Sequence, residues 1–555
     1  MSGRSGRGPG LPRWPGDLAS DCERKGSPGG VSTEPVAIDA EPPAVMRQGQ
    51  EAEPHACAAL RACLDELVRA RVRYCSWKSN DHLLAALAGQ TDIDLLVDAR
   101  DAGTFAAVAS VRGLKPVDPP PAAAYPAMQH YLGLDQESGR LFHLHLHFRL
   151  VLGQKYTKNH HLPVERQLLD STRRLYGVPI PAADVELAVL VVRALLKYRA
   201  RDVVKDVVRV RSPGIPDATR AEIAWLRGGR DLEAIRPGLD AISSVVPVDI
   251  VASFLEVVAG DPRSGVEVWR LSTRLRRALR NFQRRGRLPA TATYGRALWT
   301  RRPRWLLGHQ VEPRMTLPRG GTTVALIGAD GAGKSTVAAE AARWLGWKLE
   351  ARVHYLGSKQ SSPSTTWLYL GFRALRRGHR AASRRLGEGS PATRPIAAVR
   401  DLTLALHHLA VGRDRRRHLA RARRDARAGR IVILDRYPLA YLSERAEHRL
   451  LDGPQIESVL GPDLSWPVQA LAGAERRLYR RFGLPDQLVL LDVDPLVAAG
   501  RKPDHRLDVI RTKSRAAAEL AGLAEAVGAS VTRIDADQRL DRVVLDVKAR
   551  LWDVL

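Results

Sequence analysis

The first helical spacing of apolar residues is "HACAALRACLDELVRARV", residues 55–72. A short strand and another helix follow, and then "TDIDLLVD", residues 91–98, reads as a strand. After a further helix, "LFHLHLHFRLV" at 141–151 alternates strictly, as a strand with one polar face does. These elements predict a small α/β unit over 56–158. Helical spacing dominates 159–316, through "AADVELAVLVVRALLKY", "ATRAEIAWL", "VDIVASFLEVVAG" and the basic "RLSTRLRRALRNFQRRGR". "LPRGG", residues 317–321, marks a linker at the start of the last unit, 317–555. There strands alternate with helices again: "TTVALIG", "ARVHYLG", "RIVILDRY", "QLVLLDVD" and "SVTRIDAD". Strands joined by helical crossovers predict a parallel sheet with ligands at its carboxyl edge, so the fold class expected is α/β with a helical middle section.

Residues 1–55 are rich in Gly, Pro, Arg and Ser and carry no apolar period, which predicts a disordered tail. Met46 lies just before the first helical pattern, so translation from Met46 and from Met1 are both open. A length of 555 residues suits about three or four units. The net charge of +27 favours phosphorylated ligands, nucleic acid or anionic membrane surfaces. Cys22, Cys57, Cys63 and Cys75 form no C-x-x-C spacing, which argues against a cysteine zinc site and fits a reducing cytoplasm. The longest apolar stretches are broken by Arg193, or by Pro247 and Asp249, so neither a secretion signal nor a membrane span is expected.

"GADGAGKST", residues 328–336, sits between a strand and the helical "STVAAEAARWLG" and matches G-x-x-x-x-G-K-[ST]. Gly328, Gly331 and Gly333 let backbone N–H groups close around a phosphate, Lys334 bridges to the transferred phosphate, and Ser335, followed by Thr336, can hold Mg²⁺. The ligand expected is a nucleoside triphosphate, ATP, with Mg²⁺. Asp435, Arg436 and Tyr437 close a buried strand and face the phosphate loop's crevice if the two strands are neighbours, where an acid beside an arginine suits a metal-bound water and an acceptor anion.

With "GADGAGKST", "LDRY", "PDQLVLLDVDP", "GRKPDHR" and "IDADQ" in this order, residues 322–555 resemble the thymidylate kinase family of P-loop nucleoside monophosphate kinases. The resemblance implies that Lys334 and Ser335 hold the phosphates and Mg²⁺, and that Asp330 approaches the acceptor sugar. It further implies that Arg436 clamps the acceptor phosphate and that Asp535 and Gln538 of "IDADQ" lie beside the adenine. The family needs a mobile cation over the transferring phosphoryl group; Gly331 occupies the loop position where some members carry arginine, so Arg501, Lys502 and Arg506 are the lid-type candidates.

In "TDIDLLVD", Asp92 and Asp94 lie two apart on a strand and share a face, as a Mg²⁺-holding pair for nucleotidyl transfer would. With Lys78, Ser79 and Asn80 upstream, residues 60–155 resemble the minimal nucleotidyltransferase fold. The third carboxylate that family places on a later strand is replaced by His143, His145 and His147, with Asp98 as another candidate acid. A transition-metal site, a polar sheet surface, an active transferase and a binding module without turnover all remain open here. For the whole chain the expectation is a cytoplasmic kinase acting on a nucleoside monophosphate or related phosphorylated metabolite, with a homodimer open. The alternative is an ATP-binding regulatory or nucleic-acid-binding protein, motivated by "RALRRGHRAASRR" and "GRDRRRHLARARR".

Overall fold

The computed structural model describes residues 57–555 apart from 122, 200–201, 204–214, 261–264, 300–313, 358–361, 388–389 and 443–452. The expected disordered tail and Met46 lie outside the described residues. The N-terminal sheet contains β1 (Tyr74–Ser76), β2 (Ile93–Val97), β3 (Lys115–Val117), β4 (Met128–Asp135) and β5 (Arg140–His147), in the order β1-β2-β5-β4-β3. β2 and β5 are parallel and the other pairs antiparallel.

Side chains alternate across each of these strands, so the two faces of the sheet have different partners. Phe142, Leu144 and Leu146 pack with Leu95, Val97 and Tyr131 beneath the helices Ala58–Arg69 and Ala102–Val111. The opposite face of β5 presents Leu141, His143, His145 and His147. Leu141 joins Val117, Leu132 and Leu134 in the same apolar cluster as Val324, Leu326, Ile433 and Trp552 of the C-terminal part. At the other end of this face, Leu96 packs with Cys75, Trp77 and the helix Ala183–Lys197.

Two short hairpins precede the helices of the middle section: β6 (Leu150–Leu152) with β7 (His160–Leu162), and β8 (Thr172–Leu175) with β9 (Val178–Pro181). The section from 159 is therefore not wholly helical. Strands of three or four residues are too short to display a period of two. The second hairpin is closed by Tyr176 and Gly177, with φ of 50° and 80°, the double left-handed geometry that matches strand twist. Beyond it, Ala183–Lys197 is apolar nearly all round and forms the centre of a cluster with the helices Asp217–Arg227, Leu232–Asp240, Val248–Ala259 and Gly265–Ala278.

The C-terminal sheet comprises β10 (Thr323–Ile327), β11 (Ala351–Tyr355), β12 (Ile431–Asp435), β13 (Gln487–Asp492) and β14 (Val531–Asp535), all parallel in the order β11-β12-β10-β13-β14. β10 and β12 are buried throughout, as continuous apolar runs in a sheet covered on both faces must be. Val324 and Leu326 pack beneath the helices Lys334–Leu345 and Leu540–Asp553, whereas Ala325 and Ile327 face Leu419, Leu520 and Ala524 on the other side.

The segment expected as a plain linker is part of this packing. Thr316 bridges to Asp118, Met315 bridges to Leu349, and Leu317 is buried. The Trp552 indole donates to Gly113 O at 3.1 Å, and the Lys348 ammonium lies 2.6 Å from Asp92. Because Leu132 is fully buried in a cluster drawn from both sheets, Leu132→Ala should cost about 2–5 kcal/mol. Scanning calorimetry should show one transition that includes the phosphate-loop half shifting downward; two transitions, with only one moved, would contradict this coupling.

Candidate functional site

β10 ends at the phosphate loop, and the helix Lys334–Leu345 starts directly after it with Gly333 as its N-cap. The loop needs its glycines for space and for backbone shape. A Cβ on Gly331 (φ 94°) would lie 2.6 Å from Ala498 O, and one on Gly328 (φ 147°) would lie 2.5 Å from Leu491 O. The Lys334 ammonium donates to Gly328 O and Ala329 O at 2.9 and 2.6 Å. The Ser335 hydroxyl donates to Asp435 Oδ2 at 2.7 Å, while Asp435 Oδ1 is buried without a hydrogen-bond partner. This is possible because β10 and β12 are neighbours in register, Leu326 opposite Asp435.

Asp330 is met by Lys513 Nζ at 2.5 Å from Oδ2 and by Arg436 Nη2 at 3.4 Å from Oδ1, and the His505 ring nitrogen Nδ1 lies 4.0 Å away. Burial pushes the Asp330 carboxyl upward, but the Lys513 bond and charge, with Lys334 and Arg436, outweigh it and hold the group at about 2. Arg436 has a φ of 67°, a left-handed conformation uncommon for a residue with a side chain. Such strain at the end of a buried strand is characteristic of functional turns.

Two hollows flank the loop. One, of about 440 Å³, is lined by loop residues including Gly333, Ser335 and Thr336, with Arg501, Lys502 and Gln538 across from them. The other, about 40 Å³, lies toward Tyr437, Leu439 and Lys513. Asp330, Lys334 and Arg436 line both.

In the N-terminal sheet, Asp92 and Asp94 do meet the histidine strand, because β2 and β5 pair with Asp94 opposite His145. Asp92 Oδ1 lies 3.0 Å from His143 Nδ1, and Asp94 Oδ1 lies 3.2 Å from His147 Nε2 and 3.3 Å from His145 Nδ1. The His145 ring thus touches both acids, its Nε2 lying 3.7 Å from Asp92 Oδ2. Each carboxylate is also matched by a lysine, Lys348 for Asp92 and Lys78 for Asp94. Burial opposes charge on Asp94, yet Lys78 and the two imidazoles hold its carboxyl well below the usual range. Burial lowers His143 and His147 to about 4, so both rings are neutral at pH 7.

Among the described residues, the groups arranged to hold a metal ion are His130, His143 and His145, and Asp94, His145 and His147. Asp92 belongs to neither group; it shares the sheet face with Asp94 and lies against His143 and His145. Asp98 instead caps a turn by accepting from Arg100 N. Asn80 is buried against Glu186 and Ser76 O, and Ser79 N donates to Glu222, so both are tied to the helical section.

No protein-family model matches the chain. It is similar to the uncharacterized ATP-binding protein YghR of Escherichia coli K12, 31% identical over 191 residues that cover 33% of this chain and 69% of the relative. This chain belongs to the YghR family. It is also 27% identical over 192 residues to the uncharacterized ATP-binding protein YghS of the same strain, covering 34% of this chain and 77% of that relative.

The residues singled out from sequence are only partly brought together. Gly328, Asp330, Gly331, Gly333, Lys334, Ser335, Thr336, Arg436, Arg501 and Gln538 each border at least one of the two hollows, and Asp435 reaches them through Ser335. Arg501 is tied down, donating to Ala536 O at 2.8 Å and Gln538 O at 3.4 Å. Arg506 is exposed, pairs with Asp508 and borders neither hollow. Asp535 likewise borders a different surface cleft and accepts from Asp537 N. Sequence reading missed Lys513, which lies mid-helix in a stretch with many basic residues, and His130, whose strand β4 was not foreseen. No helix among the described residues is long and apolar enough to cross a membrane.

The depressed Asp330 carboxyl gives a pH dependence with a definite sign. Its stabilising contribution is present above the ordinary carboxylate value of 3.8 and is lost as pH falls through about 2. Asp330→Asn should therefore flatten the acid side of the melting-temperature profile, measured by thermal unfolding across that range.

Proposed function

We propose that this chain binds ATP and transfers its terminal phosphoryl group to a phosphorylated small-molecule acceptor, a nucleoside monophosphate or a related metabolite, in the manner of the thymidylate kinase-like enzymes its C-terminal half resembles. The observation that carries this reading is that Asp330, Lys334 and Arg436 line two hollows at once. These shared residues support a donor triphosphate in the larger hollow meeting an acceptor phosphate on the side of the smaller one. The names of the YghR and YghS relatives support ATP as the donor.

Lys334 exchanges its loop carbonyls for phosphate oxygens, and the loop N–H groups with the start of the helix Lys334–Leu345 add further positive potential. Mg²⁺ fits at Ser335 and Asp435, whose buried Oδ1 lacks a partner, and when bound it neutralises phosphate charge. Arg436 and Lys513 converge on Asp330 from the acceptor side, where they bind and orient the acceptor phosphate. The cationic role over the transferring group falls to Arg501 and Lys502, which border the larger hollow, and not to Arg506.

The test is ATP consumption by the full chain with Mg²⁺ and a panel of nucleoside monophosphates and sugar phosphates. Turnover should require an acceptor, and Lys334→Ala should lower it by about 100-fold or more without loss of fold. Arg436→Ala should raise the acceptor KM more than the ATP KM. Equal changes in both would assign Arg436 a structural role, and full turnover by folded Lys334→Ala would overturn the phosphoryl-transfer reading.

A further inference from the structure

We propose that Asp94, His145 and His147 bind a divalent transition-metal ion of the Zn²⁺ type in preference to Mg²⁺. The site is separate from the phosphate loop and is made by strand pairing. Parallel β2 and β5 set Asp94 opposite His145, and His147 follows two residues later on the same face. All three donor atoms lie within 4.8 Å of one another.

The distances suit one ion. Ligands on a tetrahedral Zn²⁺ at about 2.0–2.1 Å lie about 3.3 Å from one another. Asp94 Oδ1 is 3.3 Å from His145 Nδ1 and 3.2 Å from His147 Nε2. These separations also fit hydrogen bonds, but the same oxygen is approached by Lys78 Nζ at 2.8 Å. Three donors then converge on an oxygen with two lone pairs. An ion between the carboxylate and both imidazoles removes that excess, because the rings present lone pairs to it instead of protons.

Donor chemistry selects the ion. Two imidazoles with one carboxylate suit Zn²⁺ and its neighbours, whereas Mg²⁺ prefers oxygen ligands and retained water. The surroundings also fit a ligating histidine: His145 has its second ring nitrogen facing Asp92, which is fixed in turn by Lys348. The competing triad, His130, His143 and His145, offers no carboxylate to offset the ion's charge, and His130 and His143 are 4% and 1% exposed. His145, shared by both triads, is part-exposed, and in the favoured triad Asp94 is part-exposed as well, so two of its three ligands face a route for an ion to enter.

The experiment strips full-length protein with a chelator and titrates it with Zn²⁺ by calorimetry and with Co²⁺ by absorption. One equivalent should bind, with tetrahedral Co²⁺ bands that millimolar Mg²⁺ leaves in place. His147→Gln and Asp94→Asn remove ligands outright, so each should weaken binding by more than the about 10- to 100-fold typical of outer-shell changes; metal-free circular dichroism should match wild type for both, and melting for His147→Gln, which keeps the Lys78–Asp94 pair. X-ray absorption at the zinc edge of the wild-type protein should count two imidazoles, a readout independent of how any variant folds. Lack of stoichiometric binding, displacement by Mg²⁺, or three imidazoles at the edge would each overturn the proposal. So would loss of binding in His130→Gln with Asp94→Asn silent, since that puts the ion in the other triad.

Discussion

Among the described residues, the face of the N-terminal sheet that carries Leu132, Leu134 and Leu141 is covered by the phosphate-loop half and by no helix of its own segment. Hydrophobic burial of that size cannot be left open to water without cost, so the two sheets are bound into one packing unit. The bridge from Asp118 to Thr316, the Trp552 indole on Gly113 O and the Lys348–Asp92 ion pair all lie along this seam. The same face is apolar again where Leu96 meets the middle helices. Between these two apolar stretches lies the strip of Asp92, Asp94 and the histidines. Its polar groups are partly buried because closing the apolar stretches on either side removes solvent from what lies between.

That placement accounts for much of the electrostatics. A buried carboxylate is costly unless matched, and each acid in the strip has both imidazole and lysine partners. The phosphate loop follows the same logic in another form. Asp330 is a buried anion inside a loop built to attract anions, and it persists there because Lys513 and Arg436 approach from outside the loop. Charge at both places is balanced by residues distant in sequence, Lys348 for Asp92 and Lys513 for Asp330.

This distance in sequence also explains what could be read from the chain. β10, β12 and β13 announce themselves as apolar runs, and the phosphate loop is a local motif whose residues must be contiguous to wrap a phosphate. The strict alternation of β5 was equally legible. The shared core was not, because Leu132, Leu134 and Leu141 look like ordinary inward positions of one sheet, and nothing local says which element covers them. β4 is not legible because "MQHYLGLD" sets His130 beside Leu132 and Leu134 on one face and Gln129 beside Tyr131 on the other, so no polar–apolar alternation marks it. Lys513 was hidden for the opposite reason: one lysine among many basic residues carries no local signal until the fold brings it to Asp330. In the charged lid segment, the pairing of Arg506 with its neighbour Asp508 is a detail that residue type and spacing do not reveal.

The helix that begins at Lys334 runs twelve residues to Leu345, and Lys348 follows it closely in the chain. At about 1.5 Å per residue it is a stiff rod roughly 18 Å long. One end is the phosphate loop, and just past the other is the lysine that neutralises Asp92. Trp552, Val547 and the sheet clamp its flank, so it has little freedom to bend. One stiff element thus spans the distance from the phosphate loop to the seam where Lys348 meets Asp92, so the two sites share a common strut.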